Sequence, residues 1–308
     1  MKKVFIDGSA GTTGLRIGER LAGRQDISLL TLPSELRKDA AARSEMLNEA
    51  DIVFLCLPDE AAREAVTLVT DPDTVIIDTS TAHRTADGWV YGFPELRGLR
   101  EQIALSRRIA NPGCHASGFI ALVAPLTEAG ILSRKTTLSC FSLSGYSGGG
   151  KKMISLYEQT EKDPLLGAPR QYGLTQSHKH LPEMTRYTHL ETAPAFCPVV
   201  ADYYSGMEVT VPVFASALRG TVQDICAIYA ERYAAGRIVH FDSRCDEDGF
   251  MSASVFAGRD DMQITVCGND DRILLIARYD NLGKGASGAA IQNMNLVLGV
   301  DEDTGLCQ

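Results

Sequence analysis

The chain has no apolar run approaching the roughly 20 residues that span a bilayer, so no membrane-spanning helix is expected. Its first apolar stretch covers only residues 4–6 before Asp7 and Gly8 end it, and no secretory leader is expected. Long basic runs are missing too. With a net charge of −9 and an isoelectric point near 5.2, neither nucleic acid nor an anionic membrane is an expected partner. An acidic protein still takes an anionic substrate where basic residues line a local pocket. The eight cysteines, at 56, 114, 140, 197, 226, 245, 267 and 307, make no CxxC pair and no metal-ligand spacing, so no metal is expected. Several lie inside apolar stretches, which suits reduced thiols in the cytoplasm better than a disulfide framework. Internal repeats and low-complexity linkers are also absent.

What is present is an ordinary globular composition, 44% apolar and 22% charged, on 308 residues, enough for two domains with their own cores. The first part alternates strand and helix. Strands are expected at 3–7, 27–32, 51–57 and 74–77, and helices at 12–21, 34–48 and 60–69. Strands that are apolar throughout and separated by helices imply a parallel sheet covered on both faces. Beyond residue 84 the pattern changes. Residues 89–93, 103–110, 136–143, 207–214, 251–256, 263–267 and 272–279 read as strands. Helices are expected at 115–129, 221–234 and 285–298, a flexible glycine loop at 144–152, and irregular chain with short strands at 163–206. Strands so close in sequence suggest a mostly antiparallel second sheet.

A glycine turn, Gly8-Ser9-Ala10-Gly11-Thr12-Thr13-Gly14, joins the first strand to the first helix. Its GxxGxxG spacing is a variant of the dinucleotide fingerprint. Small residues let the backbone approach a pyrophosphate, and the helix N-terminus favours its charge. At the end of the second strand, Ser34 and Arg37 suit the 2′-phosphate of NADP. Glu35 between them is either a ribose ligand or a helix-start charge, and NADP is the favoured reading.

The most informative tetrapeptide is Asn111-Pro112-Gly113-Cys114. Proline and glycine set a turn that delivers a cysteine to a helix start, where unpaired N–H groups and the helix dipole favour thiolate. Thiolate is the nucleophilic form. His178 and His180 flank Lys179; in an extended segment the two imidazoles share a side, and either serves as acid–base partner for Cys114. A third metal ligand is not evident. A thiolate with a nicotinamide cofactor points to an acyl group captured as a thioester and reduced by hydride to an aldehyde. The Cys114 N–H is a candidate oxyanion donor.

The segments carrying these features resemble one family. Residues 109–125, IANPGCHASGFIALVAP, resemble the active-site signature of N-acetyl-gamma-glutamyl-phosphate reductases, enzymes of arginine biosynthesis. GSAGTTG, YGFPEL, SGYSGGGK, HKHLPEM and DNLGKGASGAAIQNMN resemble that family in the same order, and the length is that of its shorter branch. His115 stands where an aromatic residue is usual and Ser117 replaces the usual threonine; His115 adds an ionisable neighbour to Cys114.

The resemblance implies that Cys114 is the nucleophile toward N-acetyl-glutamyl 5-phosphate, that His178 or His180 is the acid–base, and that Glu183 orients a histidine or binds substrate. It implies that Gly8, Ser9, Gly11, Thr12, Thr13 and Gly14 hold the NADP pyrophosphate and that Asn281 meets the nicotinamide. Ser144, Gly145 and Ser147 would border nicotinamide and substrate, with Lys151 and Arg84 as candidate anion ligands. The implied class is α/β: a Rossmann-type parallel-sheet domain over residues 1–113 and 284–308, and an α+β substrate and oligomerisation domain with a mostly antiparallel sheet over 114–283. A homo-oligomer, dimer or tetramer, is expected. Aspartate-semialdehyde dehydrogenase and an aminoadipyl-phosphate reductase use the same chemistry and are the enzymatic alternatives; a nucleotide-binding redox sensor is the other.

Overall fold

The computed structural model describes all 308 residues. The chain starts in β1 (Lys2–Asp7), α1 (Thr12–Leu21), β2 (Ile27–Leu30), α2 (Ala40–Glu49), β3 (Ile52–Leu55), α3 (Asp59–Leu68), β4 (Val75–Asp78), β5 (Val90–Tyr91), α4 (Leu99–Leu105) and β6 (Arg108–Ala110). The strands form one sheet, β2-β1-β3-β4-β6-β5, with every neighbouring pair parallel. Every residue of β3 and β4 is buried, as a parallel sheet covered on both faces requires. Side-chain alternation splits the apolar residues between two cores. Val4, Ile6, Phe54 and Ile77 pack on one face, Phe5, Val53, Leu55 and Ile76 on the other.

Two sequence expectations shift here. Residues 34–48 are not one helix: a 3₁₀ turn at Ser34–Leu36 is followed by α2, whose start is fixed by Asp39 accepting the Ala42 N–H. Residues 103–110 are not one strand. Leu99 and Ile103 stand one helical turn apart in α4, and only the last three residues of that span extend, as β6.

The second unit begins with α5 (Cys114–Glu128) and continues through β7 (Ser139–Gly145), α6 (Gly150–Tyr157), β8 (Arg170–Gln171), α7 (Leu181–Thr188), β9 (Ala195–Ala201), β10 (Met207–Phe214), α8 (Val222–Tyr233), β11 (Val239–Phe241), β12 (Met262–Gly268) and β13 (Arg272–Tyr279). Its sheet runs β11-β12-β13-β10-β7-β9-β8; β7/β9 and β11/β12 are parallel and the other pairs antiparallel. The glycine loop at 144–152 is in fact a 3₁₀ turn, Tyr146–Gly149, leading into α6. The irregular span 163–206 holds α7 and β9. Its prolines hid both: Pro182 lies in the first turn of α7, where a missing N–H costs nothing, and Pro198 interrupts the reading of β9. Residues 251–256 alternate in sequence but form no strand. They fold as successive turns, with the Ala257 N–H on Ser254 and the Arg259 N–H on Phe256.

Helix α5 is the centre of this unit. All thirteen residues from 115 to 127 are buried, so the sequence is apolar round the whole helix. Pro125 lies inside it and supplies no N–H to the Ala121 carbonyl. That carbonyl accepts instead from the Tyr233 hydroxyl of α8 at 2.6 Å, and Tyr229 serves Leu122 likewise at 2.6 Å. Helix α8 starts in a capping box, Thr221 with Asp224.

The chain then passes through a single π turn, Gly283–Ser287, into α9 (Gly288–Leu298). Ala290, Ile291 and Met294 of α9 join the core of the first unit. The two compact units are thus Met1–Pro112 with Ala286–Leu306, and Gly113–Gly285 with Cys307–Gln308. All eight cysteines are free. No helix is long and apolar enough to cross a membrane.

Candidate active site and dinucleotide site

In the first unit the turn after β1 has backbone where side chains would not fit. Gly8 has φ +88°, and a Cβ there would lie 2.3 Å from the Cys56 carbonyl oxygen. A Cβ on Gly14 would lie 2.5 Å from the Gly8 oxygen. Gly11 caps α1 and its carbonyl accepts the Leu15 N–H, leaving Thr12 and Thr13 in the first turn. Gly8, Ser9 and Ala10 border a cavity of about 390 Å³ whose other walls include residues 29–32, Arg37 and Lys38. Bare backbone at a helix N-terminus and two cations at the far wall fit a phosphorylated dinucleotide. Lys38 was not singled out in the sequence. Ser34 instead donates to Glu35 at 3.1 Å.

Arg84, expected to bind an anion, is buried and committed. Its Nε donates to the Asn111 carbonyl at 2.9 Å and Nη2 to the Thr79 carbonyl at 3.1 Å. It therefore clamps the residue that opens the Asn111-Pro112-Gly113-Cys114 turn. Nearby, Asp78 accepts from the Ser80 N–H and hydroxyl and lies 2.6 Å from His83 Nδ1, while His83 stacks on Trp89 with centroids 4.1 Å apart. Burial, then the carboxylates Asp78 and Asp7, push the Cys56 thiol up to about 12, so this cysteine stays protonated and inert.

In the second unit Cys114 is the first residue of α5 and remains partly accessible. Three contacts fix it. The N–H of Gly113 donates to Glu183 Oε2 at 3.1 Å, so Glu183 holds the turn that leads into Cys114. The Tyr279 hydroxyl donates to the Cys114 carbonyl at 2.5 Å and accepts the Gly118 N–H at 3.0 Å, wedging into the first turn of the helix. Gly118 makes this possible, since a Cβ there would lie 2.7 Å from that hydroxyl. Gly285, in the π turn, would place a Cβ 3.0 Å from Cys114 Cβ.

His178 and His180 do come together, with ring centroids 4.7 Å apart, but by a different route from the one expected. The segment is not extended. His180 is the helical residue that caps α7, with φ −87° and ψ −13°, and its N–H donates to His178 Nδ1 at 3.2 Å. A neutral His178 with Nδ1 accepting carries its proton on Nε2. Both rings pack on His115, His178 edgewise at 5.8 Å and His180 tilted at 5.5 Å.

Asn281, Ser144, Gly145 and Ser147 are also gathered in this unit. Asn281 accepts the Gly206 N–H at 2.9 Å and donates to Ser147 Oγ at 3.0 Å, so it pins the end of β7 to the segment before β10. Ser144 is buried, and a Cβ on Gly145 would lie 2.6 Å from the Tyr204 oxygen. Lys151 stays exposed at the start of α6. Sequence reasoning missed Tyr279 and Gly285. Each is remote in sequence from Cys114, and no spacing rule links them.

Two family models match the chain: semialdehyde dehydrogenase, NAD binding domain, over residues 3–106, and semialdehyde dehydrogenase, dimerisation domain, over residues 114–281. The chain is 44% identical to N-acetyl-gamma-glutamyl-phosphate reductase 2 of a Nostoc species, covering 99% of both chains. It is 46% identical to N-acetyl-gamma-glutamyl-phosphate reductase of Rhizobium meliloti over 96% of this chain and 98% of that one. Among solved structures, aspartate semialdehyde dehydrogenase II of Vibrio cholerae superposes with a TM-score of 0.71 at 14% identity, over 97% of this chain and 98% of that one. At that identity the likeness concerns the fold.

Proposed function

Given that the chain belongs to the family of N-acetyl-gamma-glutamyl-phosphate reductases, we propose that it reduces N-acetyl-L-glutamyl 5-phosphate to N-acetyl-L-glutamate 5-semialdehyde, releasing phosphate. The observation that carries this reading is Cys114, held at the first turn of a buried helix in the same unit as the paired imidazoles of His178 and His180.

Cys114 Sγ attacks the acyl carbon, the carbon–oxygen bond to phosphate breaks, and a thioester forms on the cysteine. The Cys114 N–H, at the start of α5, is the candidate donor to the oxyanion. When bound, the dinucleotide supplies the hydride that reduces the thioester carbon. One imidazole gives a proton to the new oxyanion and takes it back as the carbon–sulfur bond breaks. His178, with Nδ1 already accepting, has its Nε2–H for this task. His180 is the other candidate, and the pH profiles of His178→Asn and His180→Asn separate them: the acid–base variant loses the ionisation limb. Glu183 holds the turn through Gly113. Asn281, Ser144, Gly145 and Ser147 frame the nicotinamide and substrate end, with the exposed Lys151 as the basic residue on offer, since Arg84 is spent on the Asn111 and Thr79 carbonyls.

Of the two nicotinamide cofactors, NADP is favoured because Arg37 and Lys38 share the cavity beside the glycine turn. The protein assembles as a homo-oligomer through the sheet face that exposes Phe141, Phe214 and Leu274. The free thiols suit work in a reducing cytoplasm.

The reverse reaction tests the proposal. Purified protein with N-acetylglutamate 5-semialdehyde, NADP and phosphate should generate NADPH absorbance, and omitting phosphate should stop it. Turnover with aspartate semialdehyde alone would overturn the substrate assignment. NADP binding without turnover on either aldehyde would point to a sensor.

A further inference from the structure

His115 is used by none of these steps, yet it is enclosed at the heart of the site. Its Nδ1 lies 2.7 Å from Ser142 Oγ and its Nε2 lies 2.7 Å from the Tyr172 hydroxyl. The rings of His178, His180 and Phe196 pack around it. Burial, and after it the charge of His178, holds its pKa down to about 3. His115 is therefore neutral under working conditions, with one N–H and one lone pair in the ring plane. It donates at one end and accepts at the other.

Hydrogen-bond accounting decides the direction. Ser142 sits inside β7 with 1% exposure, and its hydroxyl meets His115 Nδ1. Were Nδ1 the donor, the serine hydrogen would be buried without an acceptor, an arrangement that folded proteins avoid. With the serine donating, Nδ1 accepts and Nε2 carries the proton. Nε2–H then donates to the Tyr172 oxygen, and the phenol hydrogen is the open end of the chain. Tyr172 is only partly enclosed, and the Cys114 charge acts on it, after burial, to raise its pKa. The phenol therefore stands within electrostatic reach of the reacting sulfur.

We infer that Ser142, His115 and Tyr172 form a one-way hydrogen-bond chain that presents the Tyr172 hydroxyl as a donor to the acyl oxygen of the substrate, with His115 as a positioning residue that acts through Tyr172. The substrate end of this inference rests on the acyl-transfer reading above. The chain itself does not.

The test has two arms for that reason. In protein labelled with ¹⁵N-histidine, the signals lost in His115→Phe identify the ring. The expected result is an Nε2–H tautomer that does not titrate between about pH 5 and 9. An Nδ1–H tautomer, or a midpoint inside that range, overturns the chain whatever the substrate proves to be. In the reverse reaction, Tyr172→Phe and His115→Phe should each lower kcat about 10- to 100-fold, with NADP binding retained. The double variant should fall no further than Tyr172→Phe alone. Multiplying losses would reject action through Tyr172. His115→Gln, which keeps a donor near the Nε2 position, should recover part of the loss if the phenylalanine variant folds poorly; equal loss in both would count against positioning. Silence of the wild-type enzyme would sink the substrate assignment and leave the tautomer result standing.

Discussion

Two strand-to-helix turns in this molecule face opposite demands. The turn from β1 to α1 works by subtraction. Gly8 and Gly14 have no room for a side chain, and the helix behind them buries only Gly14, Ile17 and Leu21 along one stripe. The turn from β6 to α5 works by presentation. It brings the partly accessible Cys114 side chain forward on a helix buried on every side. Binding an anion needs bare N–H groups that backbone geometry alone supplies. Aiming a nucleophile needs outside help, and α5 receives it from Glu183, Tyr279 and Gly285.

The largest effect should come from the presented side chain. Cys114→Ser should lower turnover by about 10⁴-fold or more while leaving dinucleotide affinity unchanged, read by NADPH absorbance and by fluorescence titration. Weakened cofactor binding in that variant would mean that the two turns are not functionally separate. Next is the subtractive turn. Gly8→Ala places a Cβ against Cys56 at positive φ, a strain of about 1–3 kcal/mol. The melting temperature should fall and dinucleotide affinity with it, while alkylation of Cys114 by iodoacetamide stays normal.

Tyr279→Phe sharpens the contrast from the other side. It removes the hydroxyl that bridges the Cys114 carbonyl and the Gly118 N–H, at a cost of about 1–3 kcal/mol, and should lower kcat more than dinucleotide affinity. Equal losses in both would show that the wedge supports the fold rather than the thiol.

The effect smallest at neutral pH is that of His115, which emerges only on the acid side. His115 has its pKa lowered from 6.5 to about 3 by burial and by His178. Between those values the unfolded chain binds the proton and the folded one does not. This stabilising contribution is present above pH 6.5 and is lost as pH falls toward 3, at about 1.4 kcal/mol per pH unit. Urea melts at several pH values should show a shallower acid-side loss for His115→Phe than for the wild type. Parallel slopes would remove His115 from the acid response.

The local devices were legible in the sequence. The glycine turn, the Cys114 turn and the alternation of β1, β3 and β4 with helices each follow from a few adjacent residues. So did the family, since its motifs are contiguous. Legibility failed where proline carried a double meaning, in α7 and β9, and where alternation lacked a partner strand, at 251–256. The HKH segment shows the gap most plainly: the two imidazoles do meet, but a helix cap brings them together rather than an extended strand.

By itself, then, the sequence determined the family, the glycine turn and the placement of Cys114 at a helix start, because contiguous motifs, glycine spacing and helix starts are short-range properties of the chain. Only the tertiary structure decided what holds them. Tyr279 lies 165 residues from Cys114, Glu183 lies 70 from Gly113, and Tyr172 lies 57 from His115. Such partners are chosen by sheet register and by packing on α5, and no local pattern encodes a contact that folding alone brings within 3 Å or so.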